Sequence, residues 1–199
     1  MSHNTWIHRG VRVLIEPLAR TPITPNQLTA ARLVSGIAAA AAFAVGDPAW
    51  ADIGGIIFIL SFVLDRADGE LARTTSRMSV AGHRFDLISD AICNMLILVG
   101  VGIGLRHGAL GGWAILMGVV AGISVVLILW LVVRVESLEG ARAAELPSAG
   151  GFDVDDSVLL IPVAMWAGFE TPLLIAATVV SPLVAVFFVW RYRRAGRRS

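Results

Sequence analysis

The chain of 199 residues has no lysine and a single cysteine, and only 16% of its positions are charged. Each shortage excludes something. With Cys93 alone, an internal disulfide and a cysteine-based zinc site are both ruled out. Soluble globular domains carry about 25% charged residues. A chain at 16%, with 56% hydrophobic residues and a mean hydropathy of +0.76, reads instead as an integral membrane protein. The first 26 residues hold charges and prolines without an apolar run ahead of a small-residue cleavage site. No cleavable signal peptide is therefore expected, and insertion falls to the chain's own helices. The apolar runs lack strand-like alternation, which excludes a barrel and leaves a helical bundle.

Six apolar segments, near 27–46, 52–73, 82–105, 109–133, 157–170 and 172–190, approach the length needed to cross a membrane. A hydrocarbon core of ~30 Å takes roughly 20 residues of helix. The expected architecture is an all-α integral membrane protein, a six-transmembrane-helix bundle with an N-terminal amphipathic interfacial helix. It is read as one domain over 1–199, with the interfacial helix at 1–22, the bundle at 24–190 and a basic tail at 191–199. Trp6, Ile7, Val11, Leu14 and Ile15 alternate with Arg9 and Arg12, the pattern of a helix lying among headgroups. Pro25 stands where the first span begins, and Cys93 reads as a small apolar packer in the third.

All sixteen basic residues are arginine. Six spans place both termini on one side, together with Arg9, Arg12, Arg20, Arg73, Arg77, Arg134, Arg142 and the C-terminal arginines, and leave Arg106 on the other. The positive-inside rule makes the first side cytoplasmic, as in a multi-pass protein of the cell inner membrane.

Against this background the stretch 65–90, DRADGELARTTSRMSVAGHRFDLISD, holds four aspartates, four arginines and a glutamate. Read as helix, Asp65, Asp68, Gly69, Ala72 and Arg73 share one face, and Gly82, Asp86 and Asp90 share a face of the next helix. Two polar stripes joined by a short loop face each other, because facing lipid would cost several kcal/mol per carboxylate. Four converging carboxylates require positive charge among them. Arginine can supply part of it, but hard oxygen ligands open to an aqueous face suit Mg²⁺ or Mn²⁺, and two such ions would neutralise all four. Two metals amid carboxylates point to phosphate chemistry. Gly69, Ala72 and Gly82 remove side chains from the same stripes, which lets a flat ligand approach the backbone, or else lets two helices pack closely.

The same residues resemble the signature of the CDP-alcohol phosphotransferase family, D-x2-D-G-x2-A-R-x8-G-x3-D-x3-D. It is matched at every fixed position by Asp65, Asp68, Gly69, Ala72, Arg73, Gly82, Asp86 and Asp90. TPNQLTAARL at 24–33 is similar to the stretch before the first span of such enzymes. The resemblance implies metal-dependent transfer of a phospho-alcohol group, here a phosphatidyl group, from a CDP-linked donor such as CDP-diacylglycerol to a hydroxyl acceptor. CMP is released, and the setting is phospholipid biosynthesis. It implies Asp65, Asp68 and Asp86 as metal ligands, Asp90 as fourth ligand or as the general base, and Asp86 with Asp90 as the catalytic pair. It also implies that Gly69, Ala72, Arg73 and Gly82 hold the CDP moiety, and that the protein is a homodimer in contact with membrane lipid and not with nucleic acid.

Asn26, Thr29 and Arg32 recur at helical spacing at the start of the first span. They either line the nucleotide or phosphate pocket, or serve as a helix cap plus a snorkelling arginine. Arg77 and Arg84 read as steering or anchoring cations, and His83 as an interfacial neighbour of the cluster. The connection 134–156 is expected to be an irregular cover carrying Glu136, Arg142, Glu145 and Asp153 as candidate acceptor-specificity residues, with Asp155 or Asp156 capping the fifth helix. Its few cations speak against a phosphorylated acceptor. Gly118 and Gly122 form a small-xxx-small pair of the kind that joins membrane helices, a candidate dimer contact. Three other readings stay open: transfer of a CDP-linked polar headgroup to a lipid alcohol, an intramembrane prenyltransferase, and a non-enzymatic cation-binding bundle.

Overall fold

The computed structural model describes residues 21–140 and 158–197. In chain order the helices are α1 (Pro25–Val45), α2 (Pro48–Thr74), α3 (Val80–Gly104), α4 (Trp113–Glu139), α5 (Leu160–Trp166) and α6 (Glu170–Ala195), with a short 3₁₀ turn at Leu105–His107. Local chemistry sets the boundaries. Thr24 and Gln27 form a reciprocal capping box, with Pro25 just inside the helix, and Gly46 at φ 78° ends α1. Asp47 caps α2 by accepting from the Ala49 amide at 2.9 Å, and Ser79 caps α3 by accepting from the Gly82 amide at 3.0 Å.

Five helices, α1 to α4 and α6, are long and apolar enough to cross a membrane. They match five of the six expected spans. The fifth, expected over 157–170, forms among the described residues a seven-residue α-helix, Leu160–Trp166, after a 3₁₀ start at 158–159, and α6 already opens at Glu170. The end of α5 is a turn in which the Phe169 amide reaches back to the Ala164 carbonyl and Gly168 adopts φ 70°. Two other boundaries move. α4 continues to Glu139, so the connection expected to open at 134 begins as helix, and α6 continues through Arg191, Arg193 and Arg194, so the basic tail begins as helix too. The expected interfacial helix lies outside the described residues, as do Arg142, Glu145, Asp153, Asp155 and Asp156.

α1 packs against both α2 and α3, α3 against α4, α4 against α6, and α5 against α2. The main core fills the half of the bundle away from the α2–α3 loop, with Phe43, Phe58, Ile97, Val101, Ala114 and Leu174 at its centre. Backbones approach closely there. A Cβ on Gly100 would stand 2.3 Å from the Ala40 carbonyl oxygen, and one on Gly118 would stand 2.5 Å from that of Leu98. Gly122 likewise faces the Met95 carbonyl oxygen at 3.0 Å. The Gly118/Gly122 stripe thus seals α4 onto α3 within one chain. It is not available as the dimer contact expected of it.

Trp50, Trp113 and Trp166 are exposed at one end of the bundle, and Trp130 and Trp190 at the other, like the aromatic belts of membrane proteins. At the Trp113 end, Arg106 donates to the Ala44 and Ile103 carbonyls at 2.9 and 2.7 Å, satisfying acceptors that the ends of α1 and α3 leave open.

Gly100→Ala inserts a Cβ where a backbone oxygen already stands. We expect a loss of about 1–3 kcal/mol, read as a lower thermal midpoint of the detergent-solubilised protein; an unchanged midpoint contradicts the packing described.

Candidate metal and phosphate site

Three helices meet at the site. α2 ends on a polar turn and supplies Asp65 and Asp68, α3 supplies Asp86 and Asp90, and α1 lies between them. Asp65 is nine residues short of Thr74, which places it about 14 Å inside the bundle from that helix end. One carboxylate oxygen from each of Asp65, Asp68 and Asp86 lies within 4.8 Å of the other two. The two polar stripes therefore face each other, as their spacing requires.

Asp68 is buried, while Asp65, Asp86 and Asp90 keep partial exposure. α1 holds all four from behind. Thr29 is buried and its hydroxyl donates to Asp68 Oδ2 at 2.5 Å. The Arg32 side chain, only 5% exposed, directs its guanidinium into the cluster: Nη1 lies 3.0 Å from Asp65 Oδ1 and 3.2 Å from Asp86 Oδ1, and Nη2 lies 2.5 Å from Asp90 Oδ1. Asn94, one turn beyond Asp90, donates to the same Oδ1 at 2.9 Å.

These contacts decide between the two readings of Arg32. Thr29 supports a carboxylate of the cluster. Arg32 does not snorkel; it grips three of the four aspartates. Asn94 was not singled out in the sequence, although a lone amide four residues after Asp90 in an apolar run is a detectable signal.

The small residues differ from one another. Gly69 is exposed with nothing within 4 Å of where a Cβ would stand, so the backbone beside Asp68 is open to a ligand. A Cβ on Gly82 would stand 3.0 Å from both Asn26 Oδ1 and Ser79 Oγ, so glycine there has a packing reason as well. Ala72 is half-buried, and Arg73 pairs with Glu70 at 2.9 Å on the same helix face. Asn26, Arg77, His83 and Arg84 are exposed around this end of the bundle. Glu136 sits on α4, which ends where Glu139 meets Arg191 at 3.5 Å.

The donor set fits a hard divalent cation: three carboxylates at short mutual range, no sulfur or imidazole among them, and an open backbone edge at Gly69. Asp65, Asp68 and Asp86 would hold such an ion, with Asp90 beside them.

The sequence profile of the family described as CDP-alcohol phosphatidyltransferase matches residues 22–190. Among curated proteins, the chain is 36% identical over 84 residues to a bifunctional IPC transferase and DIPP synthase of Thermococcus kodakarensis, a match covering 42% of this chain and 18% of that protein. It is 36% identical over 87 residues to an archaetidylinositol phosphate synthase of Pyrococcus horikoshii, covering 44% and 45%. The matched stretch is thus under half the length of either relative. In fold the chain is similar to the crystal structure of Mycobacterium tuberculosis phosphatidylinositol phosphate synthase with CDP-DAG bound, at TM-score 0.71 over 92% of this chain and 94% of that one, with 14% identity.

Thr29→Ala removes the hydroxyl that fixes Asp68. Loss of such a supporting bond is expected to weaken Mn²⁺ binding by about 10–100-fold, measured by titration of the purified protein; undiminished affinity contradicts the supporting role.

Proposed function

The chain belongs to the CDP-alcohol phosphatidyltransferase family, and on that premise we propose that it transfers a phosphatidyl group from a CDP-linked lipid to a hydroxyl acceptor and releases CMP. The observation that carries this reading is the Asp65, Asp68 and Asp86 cradle, with oxygens within 4.8 Å of one another beside the open backbone of Gly69. Bound Mg²⁺ or Mn²⁺ would supply positive charge to the pyrophosphate and to the departing CMP.

The chain's own groups do the rest. Asp65, Asp68 and Asp86 would hold the ions, and Gly69 and Ala72 leave room for the cytidine and phosphates. Arg73 exchanges its Glu70 partner for a donor phosphate, to which a guanidinium can offer two parallel hydrogen bonds. Asp90, held by Arg32 and Asn94, takes the proton of the acceptor hydroxyl. The acceptor oxygen forms a bond to the lipid-side phosphorus, and the bond from that phosphorus to the bridging pyrophosphate oxygen breaks. Its electron pair leaves with CMP.

The donor assignment is supported by the similar structure solved with CDP-DAG. Two similar proteins carry inositol phosphate in their names, which puts an inositol phosphate first among acceptors to try, ahead of unphosphorylated alcohols. We also propose six passages across the membrane with the site on the cytoplasmic side; five of the described helices are long and apolar enough to cross.

Purified protein given CDP-diacylglycerol, Mn²⁺ and a panel of inositol phosphate, glycerol phosphate, inositol and serine should release CMP with at least one acceptor. Asp86→Asn should lower the rate by about 10³-fold or more, since ion binding is lost while no core cavity is opened, with the melting temperature nearly unchanged. No CMP with any acceptor, or wild-type rates in the variant, would overturn the assignment. Prenyl transfer or ion flux in its place would favour the rival classes.

A further inference from the structure

We propose that Arg32 is a resident counter-cation that competes with the divalent ion for the carboxylate oxygens of Asp65 and Asp86, holding the cradle together when ion-free and setting how tightly the ion binds. The inference rests on the metal reading above and deepens it.

The geometry leaves the guanidinium little else to do. Arg32 lies in the second turn of α1 with a 5% exposed side chain, so it does not reach the aqueous surface as a snorkelling arginine does. Its backbone is pinned, because its carbonyl accepts from Ser61 Oγ at 3.0 Å and from Ser35 Oγ at 2.9 Å. One turn further on, a Cβ on Gly36 would stand 2.4 Å from Cys93 Sγ, so α1 and α3 are pressed together directly beneath the guanidinium. What remains variable is the side chain, and its two terminal nitrogens bridge α2 to α3 through Asp65, Asp86 and Asp90.

Charge decides the consequence. Four carboxylates outnumber the cations that act on them, Arg32 in direct contact and Arg66 nearby, so the cluster stays net negative and attracts a divalent ion. Two of the oxygens Arg32 binds belong to Asp65 and Asp86, members of the same triad that would hold the ion. A cation that enters must draw those carboxylates away from Nη1 against a like charge. Removing the guanidinium therefore has two opposite effects. The ion-free cradle loses the charge that offsets carboxylate repulsion, and the incoming ion loses its competitor.

The test uses Mn²⁺ alone on the full detergent-solubilised chain, without donor or acceptor. Arg32→Gln should melt several degrees below wild type in EDTA, and saturating Mn²⁺ should close most of that gap. The same variant should bind Mn²⁺ about tenfold more tightly, an order of magnitude set by one unit charge removed at short range. This is opposite in sign to the effect of losing the Thr29 hydroxyl. Arg32→Lys keeps the charge but not the two-pronged reach, and should fall between wild type and Gln in both measurements; it serves as the reporter should Arg32→Gln not fold. Equal or weaker Mn²⁺ affinity in these variants, or a melting gap that Mn²⁺ does not close, overturns the role of Arg32. A wild-type chain that releases CMP yet binds no Mn²⁺ overturns the metal reading itself, a separate outcome.

Discussion

Carboxylates placed about 9–15 Å from the ends of their helices in a membrane-spanning bundle must find compensating charge, because a lone ionised group in such surroundings costs several kcal/mol. In this protein the compensation comes from Arg32, which one helix extends to aspartates on two others. That contact organises the half of the bundle next to the α2–α3 loop. It holds α1 between α2 and α3, with Thr29 one turn earlier reaching Asp68 beside a small apolar cluster of Leu28, Ala67 and Leu71. Arg32 touches aspartates of both α2 and α3, so the cluster is a dependency shared by three helices and not a set of separable pairs.

The bundle divides along its length accordingly. Away from the site, Phe43, Ile97, Val101 and Leu174 are buried and glycines let backbones touch, giving a closely packed apolar half that holds the three site helices at fixed separation. α4 and α6 add a scaffold through Leu131, Val135 and Phe188 while turning apolar side chains outward. At the site end, Arg134 and Arg194 lie over the rings of Trp130 and Trp190 at 5.3 and 5.4 Å, as expected where a bundle passes through headgroups.

Much of this was legible in the sequence because it is local. The helical register of Asp65, Asp68, Asp86 and Asp90 placed the acids on facing stripes, and Thr24, Pro25, Asp47 and Ser79 mark helix starts by capping chemistry that acts within a few residues. What was not legible depends on partners far apart in the chain. Arg32 and Asp90 are 58 residues apart, so periodicity shows that a cation is needed but not which one answers. The stripe of Gly118 and Gly122 has the same appearance whether it meets another helix of its own chain or a second copy, and only the packed structure shows α3 against it. The fifth segment reads as short already in the sequence, whereas the turn at Gly168 that ends α5 depends on backbone conformation.

The central claim is that the acids of α2 and α3 form one cation-binding cradle. Crystals of the protein grown with Mn²⁺ and measured at the manganese absorption edge test it most directly. The account requires an anomalous peak between the side chains of Asp65, Asp68 and Asp86. A structure at saturating Mn²⁺ with no peak there, or with the Arg32 contacts intact and manganese bound elsewhere, would contradict it.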